Sequence, residues 1–174
     1  MSVVTSVTLD TAAAANQPST LDHDAIAGLI PHSGSMCLLA GMTRWSDTEI
    51  VCHATSHRDP HNPLRTARGL LSPCAIEYAA QAMALHGALV GRATAGAVRP
   101  GFLASARGVQ LHLLRIDELP GELRIEVTRL AGDDKQILYS FNVTHRGDPV
   151  AEGRAAVVLN TPLATPTEPI PRHA

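Results

Sequence analysis

From Ser72 to Val90 apolar residues follow one another almost without a break, and the only full charge among them is Glu77. The run is apolar nearly all round, so it predicts a buried helix, with Ser72 as N-cap and Pro73 at the first helical position. From residue 102 the pattern changes to period two. Strands are predicted at 102–114, with a bend near Gly108, and at 122–131, where Leu123, Ile125 and Val127 alternate with Arg124, Glu126 and Thr128. Two more follow at 136–145, with Ile137, Tyr139, Phe141 and Val143 on one face, and at 150–159. The turns between them are Gly132–Lys135 and Arg146–Pro149. Upstream, strands at 37–45 and 49–56 flank Ser46-Asp47, and Asp22 caps a short helix that Pro31 ends. One buried helix followed by an antiparallel meander implies an α+β fold, an antiparallel β-sheet wrapped around one long central helix.

The boundaries expected are a disordered tail at 1–20, one domain over 21–160, and a second, proline-rich disordered tail at 161–174. A chain of 174 residues holds one ordinary domain. With aromatics at 3%, the core must be built from small aliphatic side chains. A net charge of -2 gives no electrostatic case for nucleic acid. The three cysteines lack CxxC spacing, which argues against a disulfide framework or a zinc site. No basic residue precedes Arg44 and no apolar run is long enough for a bilayer, so a cytoplasmic protein with no membrane partner is expected.

Glu77 stands out chemically. A buried carboxylate needs a partner or a purpose, and burial raises its pKa toward that of a general acid. A histidine-bearing loop, His57-Arg-Asp-Pro-His-Asn-Pro63, precedes its helix. His61 is one candidate base and His32, in the Pro31-His32 turn, is the other. The four-residue spacing of His53, His57 and His61 suggests a metal-binding helical face, but Pro60 and Pro63 forbid that helix. Gln81 shares the helix face of Glu77. Cys74 reads as a small packing residue, and His86 and His112 as partly buried packing residues.

Four segments carry a family likeness: Leu29-Ile-Pro-His-Ser-Gly-Ser-Met-Cys-Leu-Leu39, His61-Asn-Pro63, Ile76-Glu-Tyr-Ala-Ala-Gln81 and Gly101-Phe-Leu-Ala-Ser-Ala-Arg107. In order and spacing they resemble the hotdog-fold 3-hydroxyacyl-ACP dehydratases, across about residues 26–159. Asn62 stands where that family has Phe, and Leu64 where it has Gly. Such departures resemble the divergent dehydratases of aryl-polyene and xanthomonadin-type pigment pathways.

The resemblance implies elimination of water from a 3-hydroxyacyl thioester to give the trans-2-enoyl thioester, with no metal or organic cofactor. Glu77 would be the acid and His61 or His32 the base. Backbone N–H groups around Leu71, Ser72, Pro73 and Cys74 would polarise the thioester carbonyl, with Gln81 also in the substrate site. The implied partners are an acyl carrier protein, which Arg58, Arg65, Arg68, Arg99 or Arg107 could meet, and a second hotdog subunit, identical or not. A hotdog thioesterase and a non-catalytic partner subunit are the alternatives.

Overall fold

The computed structural model describes residues 19–94 and 101–159. Apart from Ser19 and Thr20, the two expected tails lie outside the described residues. Seven strands form one sheet: β1 (Leu21–Asp22), β2 (Gly41–Trp45), β3 (Glu49–Ala54), β4 (Gly101–Leu111), β5 (Leu123–Gly132), β6 (Gln136–His145) and β7 (Asp148–Leu159). Every pairing is antiparallel, in the order β1-β2-β3-β5-β6-β7-β4. A short helix, α1 (His23–Ala27), follows β1, and the long helix α2 (Ala75–Ala93) packs on β3, β5 and β6. This is the hotdog fold.

The core is the inner face of the sheet closed over α2. Ile125, Val127, Tyr139, Phe141 and Val143 meet Tyr78, Ala79, Ala82, Leu85 and Leu89 in one buried cluster. Small side chains on the helix let the sheet approach closely, which is how a chain so poor in aromatics fills its interior.

β5, β6 and β7 form the predicted meander, but β4 does not adjoin β5. It is the terminal strand beside β7, while β5 sits mid-sheet between β3 and β6. Burial explains the swap: Leu123, Ile125 and Val127 of β5 are almost fully enclosed, whereas no residue of β4 is. The bend expected near Gly108 coincides with a break in register between Arg107 and Gln110, where Gly108 takes φ +59. A left-handed residue there favours glycine.

The start of the long helix also differs from expectation. Ser72–Cys74 form a 3-10 turn capped by the extended Leu71, and α2 proper begins at Ala75. Ser72 is buried and makes no side-chain cap bond; its N–H instead donates to the Leu114 carbonyl at 3.0 Å. Asp22 does cap α1, accepting from the Ala25 N–H, but that helix ends before Pro31, with Gly28 as its C-cap.

Candidate functional site

Glu77 lies in the first turn of α2 and opens into a cavity of about 550 Å³ between that helix, the Gly28–His32 segment and the ends of β4, β6 and β7. Among the described residues, the other ionisable side chains lining it are His32 and Tyr139. His32 Nε2 lies 3.1 Å from Glu77 Oε1. Facing a carboxylate, Nε2 carries the proton and donates, so the two groups form a dyad. Among the described residues, His32 Nδ1 is buried with no hydrogen-bond partner.

Gln81, one turn on from Glu77, holds this arrangement in place. Its Nε2 donates to Glu77 Oε1 at 3.1 Å and to the Met36 carbonyl at 2.8 Å, while its Oε1 accepts from the Leu38 N–H at 2.8 Å. The side chain is fully buried, so these bonds fix the segment that follows His32 to the helix that carries Glu77. Buried polar groups are costly unless satisfied, which makes this clamp specific.

The expected rise in the Glu77 pKa is not found. Burial pushes the carboxyl up, but hydrogen bonds from His32 and Gln81 and the His32 charge outweigh it, leaving the group below its ordinary 4.5. The hydrogen bonds of the dyad thus favour the carboxylate form of Glu77.

His61 has a different setting. It is exposed, lines no part of the cavity, and has its backbone N–H tied to Asp59 Oδ1 at 2.8 Å. The neighbour that turns inward is Asn62, whose Nδ2 donates to the Ser56 carbonyl and the Tyr78 hydroxyl. Its Oδ1 accepts from the Leu64 N–H. Ser56 donates to the Leu38 carbonyl, which leaves the Tyr78 O–H to donate to Ser56. The loop is thus built around an amide that fills the position of the family's Phe, a role sequence reasoning missed.

The helix start offers less than expected. The Ser72 N–H is used by Leu114 and the Cys74 N–H by Leu71, and Pro73 has none. Leu70 to Ser72 pair with Leu114 to Ile116 as a short ladder, which Asp117 strengthens by accepting from Arg115 at 2.7 Å and Arg65 at 2.8 Å. Leu71, Ser72, Pro73 and Cys74 do not line the cavity. Cys74 is half-buried, and burial pushes its thiol up despite backbone hydrogen bonds.

The remaining candidates are dispersed. His53 lies in β3, and the buried His57 donates to the Leu119 carbonyl at 3.1 Å. His86 bridges Tyr139 and the Ser46 carbonyl, and His112 lies 3.4 Å from Glu152. Arg107 lines a separate cleft of about 760 Å³ along the sheet, with Arg44, Glu126 and Arg154. Arg58 and Arg68 are exposed, and Arg99 lies outside the described residues. Among the described residues no helix is long and apolar enough to cross a membrane.

The fold defines the class. One solved structure similar to this chain is the dehydratase heterocomplex ApeI:P from Xenorhabdus doucetiae, at TM-score 0.71 and 24% identity, covering 79% of this chain and 91% of that one. Another is zebra fish thioesterase superfamily member 2, at TM-score 0.55 and 13% identity, covering 79% and 95%. Both belong with the hotdog proteins. The sequence model of the ApeP-like family, described as ApeP dehydratase, matches residues 24–167, and the chain belongs to this dehydratase family. Comparison with curated proteins gives no match.

Proposed function

We propose that this protein dehydrates 3-hydroxyacyl thioesters presented by an acyl carrier protein, with Glu77 and His32 as the acid–base pair. The observation that carries the reading is the 3.1 Å contact between these two groups inside a largely apolar cavity. Loaded for turnover, the pair is a carboxylate facing a protonated imidazole. Glu77 takes the C2 proton and His32 delivers one to the hydroxyl at C3. The C2–H and C3–O bonds break, the C2–C3 double bond forms and water leaves. A proton passing from Glu77 back to His32 resets the dyad. The roles first expected of the two residue types are thereby exchanged, and His32 replaces His61.

A second hotdog subunit is part of this reading. β4 is a terminal strand, and Phe102 and Leu103, 38% and 40% exposed, line the cavity from it. Large apolar side chains on an uncovered strand edge call for a partner. The similar ApeI:P structure is itself a heterocomplex.

The test is to offer the purified protein, with any hotdog subunit that co-purifies, both 3-hydroxyacyl and enoyl thioesters. Reversible change in enoyl absorbance supports dehydration. Release of free thiol instead would make it a thioesterase, and no reaction at all would make it a supporting subunit.

A further inference from the structure

The connection between β4 and β5, residues 112–122, pairs with the segment that leads into α2. Its first half is held by the Leu114–Ile116 ladder on Leu70–Ser72 and by the Asp117 carboxylate, which takes Arg65 and Arg115. Its second half is held by two histidines that grip consecutive carbonyls. His57 Nε2 donates to the Leu119 oxygen at 3.1 Å, and His145 Nε2 to the Pro120 oxygen at 2.6 Å. His57 comes from the 3-10 turn Ser56–Arg58 and His145 from the end of β6, so two separate elements clasp one loop.

His57 is fully buried, and its Nδ1 has no hydrogen-bond partner among the described residues. With the Nε2 proton given to Leu119, the neutral ring carries none on Nδ1. A second proton would put a charge and an unpaired N–H into a buried place. The charges acting on the ring are Arg58 in its own turn and His145 on β6, which oppose that proton, and Asp117, which favours it. Asp117 is already engaged by Arg65 and Arg115, and Arg115 also by Glu118. Burial outweighs the Leu119 bond and the rest, so the folded His57 pKa lies below its ordinary 6.5, a value the ring regains in water. Above pH 6.5 the clasped and released rings are both neutral. As pH falls from there to the folded value, the released form binds more protons, which favours opening by up to about tenfold per pH unit. The Asp117 anchor does not respond in this range, being held at about 2.

We propose that residues 112–122 form a strap that mild acid releases: a proton on His57 expels its ring from the clasp on Leu119, and the strap lifts while the sheet stays paired. The strap is independent of the dehydratase reading. It bears on that site because its ladder partner, Leu70–Ser72, leads directly into the helix that carries Glu77.

Hydrogen exchange of the full chain, read by mass spectrometry and corrected for the intrinsic pH dependence of exchange, tests the strap. Between about pH 7.5 and about pH 5.5, peptides within 112–122 should lose protection several-fold, up to about tenfold per pH unit, while peptides of β5 keep theirs. His57→Gln, whose amide nitrogen can still donate to Leu119 but takes no proton, should protect the strap equally at both. His145→Gln should keep the response. Equal strap protection in the wild type at both pH values overturns the proposal, as does a loss shared by β5. A response that survives His57→Gln or vanishes in His145→Gln overturns it too. Should His57→Gln fail to fold, NMR titration of the wild-type His57 ring decides: a midpoint below 6.5 supports the strap, and one at or above 6.5 overturns it.

Discussion

Replacing Glu77 by Gln removes one charge and almost nothing else. The amide keeps the shape of the carboxyl, and its oxygen can still accept from Gln81 Nε2 and His32 Nε2, each 3.1 Å away in the wild type. A half-buried side chain that retains both bonds should leave the fold intact, so the melting temperature checks that the effect is chemical. What disappears is the carboxylate proposed to take the C2 proton. Positioned acid–base groups contribute roughly 10²–10⁴-fold, and at about 1.4 kcal/mol per tenfold that is about 3–5 kcal/mol of barrier. His32→Gln should lose a similar factor. Because the two groups work as a unit, the double variant should be hardly worse than the poorer single one. The assay is enoyl-thioester absorbance in the hydration direction, with all four proteins at matched stability. A Glu77→Gln protein retaining most of wild-type activity would refute the reasoning, as would single losses that multiply. Burial opposes the Glu77 charge, but the bonds from His32 and Gln81 prevail and lower its pKa. Its contribution to stability is therefore complete above the ordinary 4.5 and is lost as pH falls through the lower folded value.

His61→Ala should leave activity near wild type and change stability by less than about 0.5 kcal/mol, because the imidazole is exposed and outside the cavity. Asn62→Leu should lower the denaturant midpoint by the equivalent of about 2–3 kcal/mol, since it strips partners from the buried Tyr78 hydroxyl, the Ser56 carbonyl and the Leu64 N–H. Asp117 is held at a pKa of about 2, first by the Arg115 hydrogen bonds, against an ordinary 3.8. The stability it adds is complete above 3.8 and vanishes toward pH 2, so Asp117→Asn should flatten acid unfolding across that interval. An unchanged acid limb would remove Asp117 from the account.

A sheet wrapped around one helix was legible because two independent signals agreed, a helix apolar nearly all round and strands of period two in β5 and β6; the hotdog fold itself came from the resemblance carried by the four motifs. The position of β4 was not legible, since alternation marks a strand but does not choose its neighbour. Glu77 announced itself as an isolated charge, and the share of Gln81 in its setting followed from one helical turn of spacing. The histidine was harder. His61 and His32 have the same chemistry, and only the burial of Asn62, which turns its neighbour outward, separates them. The engaged amide of Ser72 depends on Leu114, about forty residues away in sequence, and no local pattern reveals such a contact.

The strand order has a consequence for how this chain must fold. β5, β6 and β7 are joined by tight turns and can pair at once, as hairpins do within microseconds. The seam that completes the sheet instead joins Ile50 to Val127 and Cys52 to Ile125, with α2 and β4 in the intervening chain. Closing so long a loop is entropically slow, and its cost is recovered only when the helix is already seated beneath the strands. The β3–β5 seam is therefore the natural late step of folding. Until it closes, the helix that carries Glu77 is not yet covered by a continuous sheet.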